Sequence, residues 1–130
     1  MLTEKDHCDY NTSVALRELG YVGICDAYYE LTGNEDYNRN SFELLYTRDF
    51  IHPDDIDRVA APLLYQAQKW LREEKGVIVG IINNFTIQAF DYYVSTWEED
   101  RCRGNKYTSY EDALQRGIKE AIKILKETTV

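Results

Sequence analysis

The sequence predicts an α+β protein, with a single layer of about four mainly antiparallel strands packed with three helices in the order αββαββα. Three stretches carry that prediction. Ala61 to Gly76 repeats apolar residues at helical spacing, and Val77 to Ile82 is a β-branched run. Thr108 to Leu125 opens on a helix cap and continues as a second one-sided stripe. Helices apolar on one face, beside strands grouped in pairs, imply a sheet that leans antiparallel and carries the helices.

Residues 1–10 are polar and expected to fray. Asn11 or Thr12 can cap a short helix that puts Ala15, Leu16 and Leu19 inward and ends at Gly20. Cys25 to Leu31 reads as a first strand, and Thr32 to Asn40 as a polar loop. Ser41 to Phe50 reads as a second strand with Phe42, Leu44 and Tyr46 on one face, although Ser41 to Tyr46 also suits a helical turn. His52 precedes a proline and closes the extended segment. Asp54 or Asp55 can then cap a turn through Ile56 and Val59 before Pro62 restarts the main helix, a single kinked helix being the alternative.

Pro62 fits the first position of the central helix, where its missing N–H costs nothing. Leu63, Leu64, Ala67, Trp70 and Leu71 then share one face, and Gly76 fits a left-handed C-terminal cap. After the strand 77–82, Asn83-Asn84 suits a tight turn. Ile87 to Trp97 follows as a strand apolar on both faces, which suits flanking helices or a second subunit. Glu98 to Lys106 reads as a charged loop. Thr108-Ser109-Tyr110-Glu111 has the form of a capping box, with Tyr107 placed as its hydrophobic staple. Leu114, Ile118, Ala121, Ile122 and Leu125 form the stripe of the last helix, and Gly117 beside it implies close approach to the sheet. The expected core anchors are Leu64, Trp70, Leu71, Leu114, Ile118 and Ile122.

A chain of 130 residues, 44% hydrophobic, forms one domain with a core of its own. Its net charge of −8 repels nucleic acid and anionic membranes, so neither is an expected partner. No apolar run approaches the length that spans a bilayer, and the first fifteen residues show no secretory pattern. Cys8, Cys25 and Cys102 have no metal-ligand spacing, which points to free thiols in a cytoplasm. Eleven tyrosines are many for this length, because Tyr can pack its ring and keep its hydroxyl wet. Tyr28, Tyr29, Tyr92, Tyr93 and Trp97 form the candidate interaction surface; the competing reading is a tyrosine-rich sheet face.

Two constellations invite chemistry. His52 with Asp54, Asp55 and Asp57 has the residue types of a general base or a metal site, but His-Pro-Asp-Asp is equally a turn and cap. His7, Cys8 and Asp9 are adjacent in sequence and lack a distant fourth ligand. The glycines follow no phosphate-cradling order. No catalytic residue, metal or cofactor is assigned.

The segments Ala61-Pro62, Ala67 to Glu74 with its Gln-Lys-Trp-Leu-Arg-Glu centre, and Ser109-Tyr110-Glu111-Asp112-Ala113-Leu114 resemble small proteins encoded in phage and prophage genomes of gut anaerobes. That resemblance implies an accessory protein made in an infected cell and no catalytic residues. Ala27 to Gly33, followed by Phe50 to Asp55 and Val59, resembles the middle of a PAS sensor domain, without that domain's leading and closing strands. The expected function is non-catalytic protein–protein interaction, as a homodimer or with a host protein. The alternatives are a small-ligand or PAS-like sensor module, then a hydrolase or metal enzyme built on His52.

Overall fold

The computed structural model describes residues 3–23, 26–30, 43–47, 51–52 and 54–128. Among them the chain runs through a 3-10 turn (Glu4–Asp6), α1 (Tyr10–Glu18), β1 (Ala27–Glu30), β2 (Leu45–Tyr46) and β3 (Arg58–Ala60). It continues through α2 (Leu64–Lys75), β4 (Val77–Asn84), β5 (Ala89–Thr96), β6 (Asp100–Tyr107) and α3 (Tyr110–Thr128). The class is α+β with antiparallel strands, as the sequence implies. Among the described residues, the expected single layer of about four strands is instead two three-stranded sheets. Residues Cys25 and Leu31 of the first expected strand, the loop 32–40, and positions 41–42, 48–50 and 53 lie outside the described residues. The chain divides into two compact units, Met1–Leu63 and Leu64–Val130.

In the first unit the polar start is tied down rather than frayed. The Asp6 carboxylate accepts from the Thr3 amide at 2.7 Å. Asp9, not Asn11 or Thr12, caps α1, its carboxylate accepting from the Thr12 amide at 2.8 Å. Between these caps His7 and Cys8 are buried, and the Cys8 amide donates to the Pro62 carbonyl at 2.8 Å. Leu63 bridges to His7, so Pro62 precedes the helix by two residues instead of opening it. The sheet runs β2-β1-β3. Its β3, which the sequence reading took for a capped turn, pairs Val59 with Tyr29 and is held because Val59 is buried. Ala27, Tyr29, Leu44, Val59 and Ala61 make the core, with Tyr10 and Val14 packed on it from α1.

The second unit carries both helices that the sequence marks most clearly. Gly76, at φ +68°, reverses the chain after α2 in the left-handed conformation that glycine adopts without penalty. The sheet runs β4-β5-β6, with Val79 opposite Val94 and Ile81 opposite Tyr92. On one face α3 buries Ala113, Leu114, Ile118, Ala121 and Ile122, each Leu or Ile side chain being worth about 1.5–3 kcal/mol on transfer from water. From α2, Leu64, Ala67 and Leu71 are buried, whereas Trp70 is half-buried with the Lys75 ammonium 5.5 Å above its ring. Gln68 donates to the Val79 carbonyl at 2.7 Å, which the edge position of β4 leaves open.

Three local expectations shift here. Asn83 and Asn84 continue β4, paired with Phe90 and Ala89, and the turn is Phe85 to Gln88 with Gln88 at φ +53°. The stretch 98–106 is not a loop. It supplies β6, an edge strand whose charges are what exposed sheet edges display. A bulge there sets Asn105 and Lys106 against Asp91, and the Asp91 carboxylate accepts from the Lys106 amide at 3.2 Å. Finally Ser109, not Thr108, caps α3, its hydroxyl accepting from the Asp112 amide at 3.0 Å.

Candidate interaction surface

The β4–β5 hairpin ends in an uncharged, apolar tip. From Ile81 to Gln88 no residue is ionisable, in a chain where 29% of residues are charged. Pairing carries β4 as far as Asn84, which pushes Phe85 and Ile87 into the turn beyond the reach of the helices' cover. Phe85 is 82% exposed and Ile87 49%, with Ile82 on the strand below them also exposed. Apolar side chains gathered at one exposed end are what a partner can cover. The sequence reading missed this tip because it placed the turn at Asn83-Asn84.

The aromatic residues expected on one surface do not form one. Tyr29 and Tyr92 are 3% and 6% exposed and belong to the core. The Tyr29 hydroxyl donates to the Cys8 carbonyl at 2.9 Å. Burial, with Asp9 and Glu4 nearby, pushes the Tyr29 phenol far above its ordinary range. Burial and Glu120 raise the Tyr92 phenol as well, against a hydrogen bond from Arg116. Tyr28 is half-buried, with the Arg58 guanidinium 5.6 Å from its ring centre. Tyr93, also half-buried, lies across Gly80, its partner on β4. Trp97 alone among the five is open, at 77%. It follows β5, whose eight residues separate it from the hairpin tip by about 24 Å. Of the expected core anchors, Leu64, Leu71, Leu114, Ile118 and Ile122 are buried.

The constellations that invited chemistry are engaged otherwise. His52 is exposed, its Nδ1 accepting from the Asp54 amide at 3.1 Å and standing 3.7 Å from the Asp54 carboxylate. Asp55 turns away to accept from the Asp57 and Arg58 amides and from the Arg58 guanidinium at 3.0 Å. Those bonds hold its carboxyl below the usual range, the Asp57 amide contributing most. Buried His7 faces the Ala61 carbonyl from Nδ1 at 3.0 Å, and because a carbonyl only accepts, Nδ1 carries the proton. Its ring also stands edge-on to Tyr46 at 5.9 Å. Burial and then Glu120 push the Cys102 thiol up, the reverse of what a thiolate nucleophile needs. Cys8 is buried, and Cys25 lies outside the described residues. Among the described residues no three His, Cys, Asp or Glu side chains gather as a metal site. Among them, too, no helix is long and apolar enough to cross a membrane.

No family model, curated protein or solved structure matches this chain.

Proposed function

We propose that this chain is a non-catalytic accessory protein of the phage or prophage type, working in the cytoplasm of an infected cell through protein–protein contact made by the β4–β5 hairpin. The observation that carries the reading is the exposure of Phe85 and Ile87 on an uncharged tip. Leaving such side chains in water forgoes about 25 cal/mol for each Å2 a partner could cover. The resemblance of Ala67–Glu74 and Ser109–Leu114 to phage proteins supports the setting. The partner is a host protein with an apolar groove or a second copy of this chain.

Phe85→Ser with Ile87→Ser tests the reading, because both side chains are exposed in the turn beyond the paired residues of β4 and β5. The unaltered protein should sediment as a dimer, or retain a defined host protein on a column, and the double variant should lose that species with its circular dichroism unchanged. Equal association by both proteins would refute the hairpin as the contact.

A further inference from the structure

We propose that the first unit holds a binding site for a small monocarboxylic acid with an apolar body, built around Arg17. Arg58, Arg72, Arg101, Arg103 and Arg116 each have a carboxylate within ion-pairing distance. Arg17 is the one arginine among the described residues that does not, in a chain with 23 acidic and 15 basic side chains. Its guanidinium is half-buried and donates to the Arg58 carbonyl at 3.0 Å. A guanidinium has five N–H donors in a planar fork that matches two carboxylate oxygens. A half-buried cation with no carboxylate within ion-pairing distance is costly unless something else neutralises it.

The space beside Arg17 fits such a ligand. A cavity of about 20 Å3 lies against Arg17, Ser13, Ile51, His52 and Val59, enough for a group about the size of one water. A groove of about 470 Å3, lined by Val14, Tyr21 and Val22, also borders Arg17, within the size range of small-molecule sites. Arg17, Tyr21 and Val22 line both spaces. A carboxylate therefore meets the guanidinium while an aliphatic or aromatic body lies along Val14, Tyr21 and Val22. Glu18 and Asp54 also line the groove, and their charges disfavour phosphates and other multiply charged anions. The site is independent of the hairpin contact, so either can fail alone.

Titration of the full, isotope-labelled chain with sodium benzoate and sodium hexanoate, followed by nuclear magnetic resonance, tests the site. Saturable shifts at Arg17, Tyr21 and Val22 are expected. Benzyl alcohol and hexanol, which keep the body and lack the charge, should bind about tenfold to a hundredfold more weakly, as for loss of a charged hydrogen bond. Arg17→Gln should weaken benzoate by the same factor. Should that variant unfold, Val22→Glu places a negative charge at an exposed groove position and should abolish benzoate binding in a folded protein. Failure of both acids to saturate, alcohols binding as well as acids, or inorganic phosphate outcompeting benzoate would each overturn the proposal. So would a folded Val22→Glu protein that binds benzoate unchanged.

Discussion

A Cβ on Gly117 would stand 2.6 Å from Cγ1 of Val79 and 3.4 Å from Cβ of Tyr92, so α3 lies closer to the sheet than any other residue there would allow. Both atoms belong to buried side chains that cannot swing into solvent.

Gly117→Ala should therefore destabilise the protein although alanine favours the helix by about 1 kcal/mol. Overpacking costs about 1–3 kcal/mol, leaving a net loss of up to about 2 kcal/mol in urea unfolding. Combining it with Val79→Ala should recover part of that loss, as a double-mutant coupling of roughly 0.5–3 kcal/mol. Strictly additive effects would show that the two residues do not limit each other.

Tyr29→Phe removes the shorter of two hydroxyl hydrogen bonds to the buried Cys8 carbonyl, the Ser13 hydroxyl donating the other at 3.5 Å, and should cost about 0.5–1.5 kcal/mol at neutral pH. The pH dependence follows from the raised phenol. A group that holds its proton more tightly when folded contributes stability fully below its unfolded value, about 10 for tyrosine. That contribution is lost as pH rises from there through the folded value. Alkaline unfolding, followed by circular dichroism, should be steeper above about pH 10 in the unaltered protein than in Tyr29→Phe.

Asp55 works in the opposite direction. Its carboxyl is held low by the Asp57 amide first and then by Arg58. Its stabilisation is present above the unfolded carboxylate value of about 3.9 and is lost as pH falls from there through the folded value. Asp55→Asn should be less stable than the unaltered protein at neutral pH, and the gap should close in acid titrations. A gap that stayed constant through the acid range would rule out the charged pair as its source.

Ser109→Ala should cost about 1 kcal/mol, the usual penalty for losing a helix N-cap, because its hydroxyl holds the Asp112 amide. Thr108→Ala should change thermal stability by well under that amount, since Thr108 is exposed and outside the cap. The reverse order would restore the cap that the sequence pattern suggests.

Thr12 is buried, and among the described residues its hydroxyl has no hydrogen-bond partner. Leaving a buried polar group unpaired costs about 1–3 kcal/mol. Thr12→Val keeps the shape and keeps the backbone amide that Asp9 caps, so it should raise the unfolding midpoint. A lower midpoint would mean that the hydroxyl is satisfied in solution.

Much of the second unit is legible in the chain. The stripes Leu64–Leu71 and Leu114–Ile122, the glycine ending α2 and the close approach at Gly117 all stand where residue spacing and the special geometry of glycine put them. The cap of α3 was one residue off, because Thr108 and Ser109 offer the same hydroxyl and only backbone geometry chooses between them. The hairpin tip was not legible: Asn83-Asn84 is good turn chemistry, yet pairing with Phe90 and Ala89 adds two residues to β4.

What the sequence determined alone was the α+β class, the two one-sided helices and the strand that follows the first, since a helical stripe depends only on residues three and four apart. What needed the tertiary structure was which extended segments pair, and hence which tyrosines are covered. Charged β6 and short β3 are strands only because β5 and β1 lie beside them. Tyr92 and Tyr93 are neighbours of one residue type, and alternation across the sheet sends Tyr92 towards α3 and Tyr93 over Gly80. A tyrosine ring suits either surroundings, so the partner across the strand decides which it meets.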